Sequence, residues 1–124
     1  MPVPAPVPVW VLAGPPGAAR AAALAQRLAG FAADLPYTVL LEGAPTDGQP
    51  EWTPPAGAPA RLHVVAPACL CCIGNLTLRV TLARILRLEA PRALVIGIAD
   101  PAHEGRLRAL LAQPPWAGLL VLQD

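Results

Sequence analysis

The sequence contains no lysine, because all nine basic side chains among its 124 residues are arginines. Charged residues make up only 14% of the chain, and the formal net charge is +1. So little excess charge gives no case for binding to nucleic acid or to an anionic membrane. We therefore expect neither as a partner. Any site that ordinarily uses a lysine must use an arginine here, with its longer and forked head group.

Long uninterrupted apolar runs and paired cysteines are also missing. The 17 prolines and 10 glycines interrupt every apolar stretch, so we expect no transmembrane helix. Residues 1–10 alternate Pro with Val or Ala and lack the basic region of a signal peptide. Three cysteines within four positions do not form a secreted disulfide framework. These absences predict a protein of the reducing cytoplasm.

The apolar residues, 55% of the chain, are arranged in short runs that alternate with helical patterns. The length fits one domain, residues 1–124. We expect strands at 7–13, 37–41, 62–66, 93–98 and 118–122, and helices at 18–33, 75–89 and 101–113. The strands are continuously apolar, which is typical of a sheet covered on both faces. The sequence therefore predicts an α/β fold of three layers, with a mostly parallel five-stranded sheet between helices.

Two segments of this pattern, the first helix and the loop after the second strand, contain polar side chains whose positions bear on function. On the first helix, Leu24 and Leu28 mark the core face, and we expect Arg20 to lie elsewhere on the helix. Residues 43–60 are rich in Gly and Pro and predict a long loop, either functional or disordered. Its acidic, amide and aromatic residues are Asp47, Gln49, Glu51 and Trp52.

The junction of the first strand and first helix has the position of a phosphate-binding loop, G-x-x-x-x-G-K-[ST]. The candidate nucleotide-binding positions, in degenerate form, are Gly14, Gly17, Ala18, Ala19, Arg20 and Ala21. Ala19 stands at the second glycine, Arg20 at the lysine, and Ala21 at the hydroxyl that ligates Mg²⁺. The helix N-terminus would still favour an anion. The alternative is a tight turn between strand and helix. Because the second glycine, the lysine and the hydroxyl of the motif are missing, the sequence argues against GTP and Mg²⁺ as ligands and predicts no catalytic residue.

Three cysteines, Cys69, Cys71 and Cys72, follow the third strand directly. Thiolates in one turn suit zinc and other soft transition metals, and they supply at most three ligands. Candidates for the fourth ligand are Glu42, His63 and His103. Two alternatives stay open: the cysteines pack as small apolar residues, or the C-x-x-C spacing of Cys69 and Cys72 serves thiol redox chemistry.

Taken together, these motifs resemble the CobW group of the CobW/HypB/UreG-type P-loop GTPases. The residues 14–21 correspond to the loop GxxGxGKT, and 68–72 to the motif G-C-x-C-C with Ala in place of Gly. Residues 97–101, Gly-Ile-Ala-Asp-Pro, match the second half of the motif E-T-x-G-L-A-D-P. The resemblance covers residues 9–124, and the cysteine motif is its most specific part.

The resemblance implies a P-loop domain with a role in metal trafficking, because family members are GTP hydrolases linked to the delivery of zinc or cobalt. The lysine, the threonine and the strand glutamate of that family are missing here, and the sequence ends before the guanine-reading N-K-x-D motif. We therefore expect a truncated, degenerate CobW-like domain that binds a transition metal and acts as a homodimer or with a full-length relative. The alternatives are a weak GTPase metallochaperone that uses Arg20, and a non-catalytic interaction domain.

Overall fold

The structure is a computed structural model that describes residues 5–66 and 76–123. Its centre is a five-stranded sheet in which every strand pair is parallel. The strands are β1 (Val7–Ala13), β2 (Tyr37–Glu42), β3 (Ala60–Val65), β4 (Ala93–Ile98) and β5 (Leu120–Leu122), and their spatial order is β3-β2-β4-β1-β5. The expectation of a parallel, five-stranded α/β sheet is confirmed.

Helices cover both faces of this sheet, which gives the three expected layers. On one face lies α1 (Ala18–Leu28), whose Leu24 packs against Val39 and Val95. On the other face lie α2 (Leu76–Arg84) and α3 (Glu104–Leu111). That second face holds the larger core, and its buried members include Val9, Val11, Leu78, Leu82, Leu94, Ile96, Leu107 and Leu111. Because both faces are covered, β2 and β4 are buried at every position, which explains their continuous apolar sequence.

The helix ends differ from the sequence-based expectation. The first helix stops at Leu28 rather than at 33, and Gly30 and Phe31 follow in a turn whose N–H groups donate to Arg27 and Leu28. This turn brings the Phe31 ring to 5.2 Å from Trp10 and 5.4 Å from Tyr37. Aromatic packing on the sheet therefore takes precedence over about one and a half more turns of helix.

The second and third helices also have modified ends. After α2 the chain continues as a π-helical turn, Ile85–Glu89, and ends as expected before Pro91. A short 3₁₀ turn, Pro101–His103, precedes α3, and the Asp100 carboxylate caps it by accepting the Ala102 N–H at 2.9 Å. Asp at the cap and Pro at the first helical position are the residues that ordinarily begin such a turn.

The connection from β2 to β3 contains no helix, and residues 43–59 form the predicted long loop. Parallel neighbours usually need a helix to cover the sheet between them. Here the half-buried Trp52 takes that place, packing against Tyr37 with ring centroids 6.2 Å apart. Among residues 5–66 and 76–123, no helix has the length and apolarity needed to cross a membrane.

Burial in this aromatic group raises the pKa of the Tyr37 phenol above its ordinary value of 10.0. The neutral phenol is favoured by folding, so its contribution to stability is complete below pH 10 and falls as pH rises through the folded pKa. The chain has a single tyrosine. We predict that an ultraviolet titration of tyrosinate gives a higher midpoint in the native protein than in urea. Equal midpoints would show that the ring is not desolvated.

Candidate functional site at the carboxyl edge of the sheet

The candidate site lies where the parallel strands end and the sequence places its phosphate-loop motif. In open parallel sheets this edge is the usual position of ligand sites. The chain leaves β1 at Ala13, passes through the short turn of residues 14–17, and enters α1 at Ala18. Gly17 has φ 150°, a backbone conformation that side chains rarely adopt, so glycine is required at the helix start. No side chain caps this helix.

Arg20 points from the first turn of α1 into the protein and is only 3% exposed. The expectation that it lies away from the core face is wrong. Arg20 stands four residues before Leu24, so both side chains occupy the same stripe of the helix. That spacing was visible in the sequence, but a charged residue is assigned to a core stripe only when its partner is known.

The partner is Glu51, from the long loop. The Arg20 Nε and Nη2 atoms each donate to one carboxylate oxygen of Glu51 at 2.7 Å, which is the bidentate geometry of a strong arginine–carboxylate pair. The two side chains are 1% and 2% exposed. A charge pair this deep is compensated only when the remaining donors also find acceptors.

Backbone carbonyls supply those acceptors. Arg20 Nη1 donates to the oxygens of Gly14 at 3.2 Å and Glu42 at 2.8 Å, and Nη2 donates to Gly43 O at 3.2 Å. A guanidinium has five N–H groups. All five are therefore used within the protein, and they join the ends of β1 and β2, the start of α1 and the long loop.

Gly97 in β4 provides the space for this arrangement. A Cβ atom built there would lie 2.8 Å from the Leu41 Cδ2 atom and 3.6 Å from the Arg20 Cδ atom. The glycine lets the arginine stem pass over β4, so it has a packing role in addition to its place in the family-like motif. Arg20 therefore sits where the motif places a lysine, but its head group is directed at the protein's own groups.

The three candidates for a fourth metal ligand lie in different elements, and each contacts a different residue. Glu42, at the end of β2, is 1% exposed, and its Oε1 accepts the Ala99 N–H at 2.9 Å. His103 lies in the turn after β4, with Nε2 3.7 Å from an Asp100 carboxylate oxygen. Its buried Nδ1 has no hydrogen-bond partner among the described residues.

His63 lies in β3, and its Nε2 contacts the Glu89 Oε2 atom at 2.5 Å. The Thr38 hydroxyl donates to the other Glu89 oxygen at 2.8 Å. The His63 imidazole is thus positioned by the π-helical end of the second helix. Within residues 5–66 and 76–123, no group of three or more His, Cys, Asp or Glu side chains is arranged to hold a metal.

The cysteine candidates Cys69, Cys71 and Cys72 lie outside the described residues. The strand that leads to them ends beside the Arg20 site, because the Gly43 N–H donates to Val65 O at 2.8 Å. The chain therefore leaves β3 toward these cysteines from the same edge of the sheet that carries Arg20.

No protein-family model, no curated protein and no solved structure matches this chain. The likeness to CobW-type domains therefore rests on the motif residues themselves. Glu51 had no assigned role from sequence. The signal for it was weak: it is an acidic residue next to a tryptophan, in a loop otherwise rich in Gly and Pro.

We predict that Arg20→Met lowers the free energy of unfolding by about 3–5 kcal/mol, because it leaves the Glu51 carboxylate buried without a partner. Arg108→Met is the matched control: Arg108 pairs with Glu104 at 2.9 Å on the surface of α3 and should cost at most about 1 kcal/mol. Urea denaturation measures both. Adding Glu51→Gln to Arg20→Met should recover part of the loss. Equal costs for the two arginine variants would contradict this description of the site.

Proposed function

We propose that this protein is a CobW-like domain that has lost nucleotide chemistry and keeps a transition-metal site at Cys69, Cys71 and Cys72, with zinc as the expected ion. The loss of nucleotide chemistry is supported by the Arg20 guanidinium, because all five of its N–H groups have acceptors within the protein. A phosphate needs free N–H donors or a free cation at this position. With the long loop in place, every donor of Arg20 already has an acceptor in the protein, and Ala21 has no hydroxyl for Mg²⁺.

The metal half of the proposal rests on the chemistry of the sequence. Three thiols within four residues at the junction of a strand and a helix are a soft-metal ligand set. Since Val65 is hydrogen-bonded to Gly43, the end of β3, the last strand before the cysteines, lies beside the end of β2 and Glu42, one of the fourth-ligand candidates. The proposed role is binding or transfer of the metal in the cytoplasm, as a homodimer or with a full-length relative of the same family.

The metal proposal predicts that reduced protein, purified without a metal-affinity tag, binds one zinc ion per chain in competition with a chromogenic chelator. Replacing all three cysteines by serine should weaken binding by more than about 100-fold, since even residues that only orient ligands contribute 10–100-fold. Glu104→Gln is the control, because Glu104 is a surface carboxylate on α3 outside the candidate ligands, and it should leave the affinity unchanged. Equal zinc affinity in the wild type and the triple variant would reject the metal site.

A parallel titration tests the loss of nucleotide chemistry. Millimolar GTP with Mg²⁺ should neither bind the wild-type chain nor be hydrolysed by it. Turnover that disappears in Arg20→Ala would instead support the GTPase alternative. Either part of the proposal can be refuted without the other, because zinc binding and GTP binding depend on different residues.

A further inference from the structure

The long loop is held against the sheet edge by few contacts. Between residues 44 and 58, the hydrogen bonds of the described chain that reach outside the loop run only from Arg20 to Glu51. The other firm contact is the packing of Trp52 on Tyr37. Most other side chains of this segment are exposed. Segments with so few anchors open at lower free energy than the core does. We call residues 44–58 the strap.

Arg20 does not depend on the strap for its position. Three of its five N–H groups donate to the carbonyls of Gly14, Glu42 and Gly43, all outside the strap. The remaining two, on Nε and Nη2, point at the Glu51 carboxylate. A parallel pair of N–H donors on a fixed guanidinium is the geometry that binds carboxylates and phosphates alike.

We propose that the strap is an autoinhibitory cover, in which Glu51 acts as an internal ligand on an oxyanion site built around Arg20. An external carboxylate or phosphate binds there when the strap opens. The tethered carboxylate competes at an effective concentration of at least millimolar order, so a free oxyanion at low concentration does not displace it. This inference rests on the Arg20–Glu51 geometry and not on the cysteines, so it stands or falls separately from the metal site.

The test titrates sodium phosphate and, in a second arm, sodium acetate into Glu51→Ala at constant ionic strength, following Tm and tryptophan fluorescence. We expect a saturable rise in Tm for Glu51→Ala, with an affinity at least about tenfold tighter than in the wild type, where the tethered carboxylate competes. The double variant Glu51→Ala with Arg20→Met should lose the response. Glu104→Ala, which removes an acidic partner from a surface pair, should behave as the wild type.

The two arms identify the source of the oxyanion. A response to phosphate alone assigns a phosphate-bearing ligand, a response to acetate alone assigns a carboxylate, and a response to both assigns a site for either. A folded Glu51→Ala that responds to neither anion at tens of millimolar would overturn the proposal. So would a response that persists in the double variant. If Glu51→Ala does not fold, Glu51→Gln keeps the shape of the side chain without its charge, and the absence of any anion-dependent rise in its Tm overturns the proposal equally.

Discussion

The buried guanidinium of Arg20 joins three parts of the chain at one point. It reaches the turn after β1 through Gly14, the end of β2 through Glu42 and Gly43, and the long loop through Glu51. A buried cation is tolerated only when charge and hydrogen bonds are both satisfied. Three features of the fold meet this requirement: the tight turn at Gly17, the space left by Gly97 and the path of the long loop.

The same interaction shows how the arginine of a phosphate-loop-like sequence can be satisfied by the protein's own groups. A lysine ammonium has three donors on a flexible stem and could not hold two carboxylate oxygens and three carbonyls at once. Arginine can, so the substitution at residue 20 changes the chemistry of the position. The negative charge that a phosphate would supply comes instead from Glu51, a residue of the protein itself.

Much of the fold could be predicted from sequence because its signals are local. The strands β1 and β4 were predicted with their observed bounds, since a buried strand needs an apolar run and Pro or Gly nearby marks its end. The end of α1 at Leu28 was not predicted, because it depends on the contact of Phe31 with Trp10 and Tyr37, which are distant in sequence or in another element.

The site was less predictable than the fold for the same reason. Arg20 and Glu51 are 31 residues apart, and nothing in the intervening sequence marks them as partners. The most direct test of this pairing is the exchange of the Arg20 Nε–H proton with water, measured by NMR on nitrogen-15-labelled protein. We predict an Arg20 signal that persists far longer than those of the exposed Arg79 and Arg106 and that loses its protection in Glu51→Gln. An Arg20 proton that exchanges as fast as the exposed arginines would contradict the account.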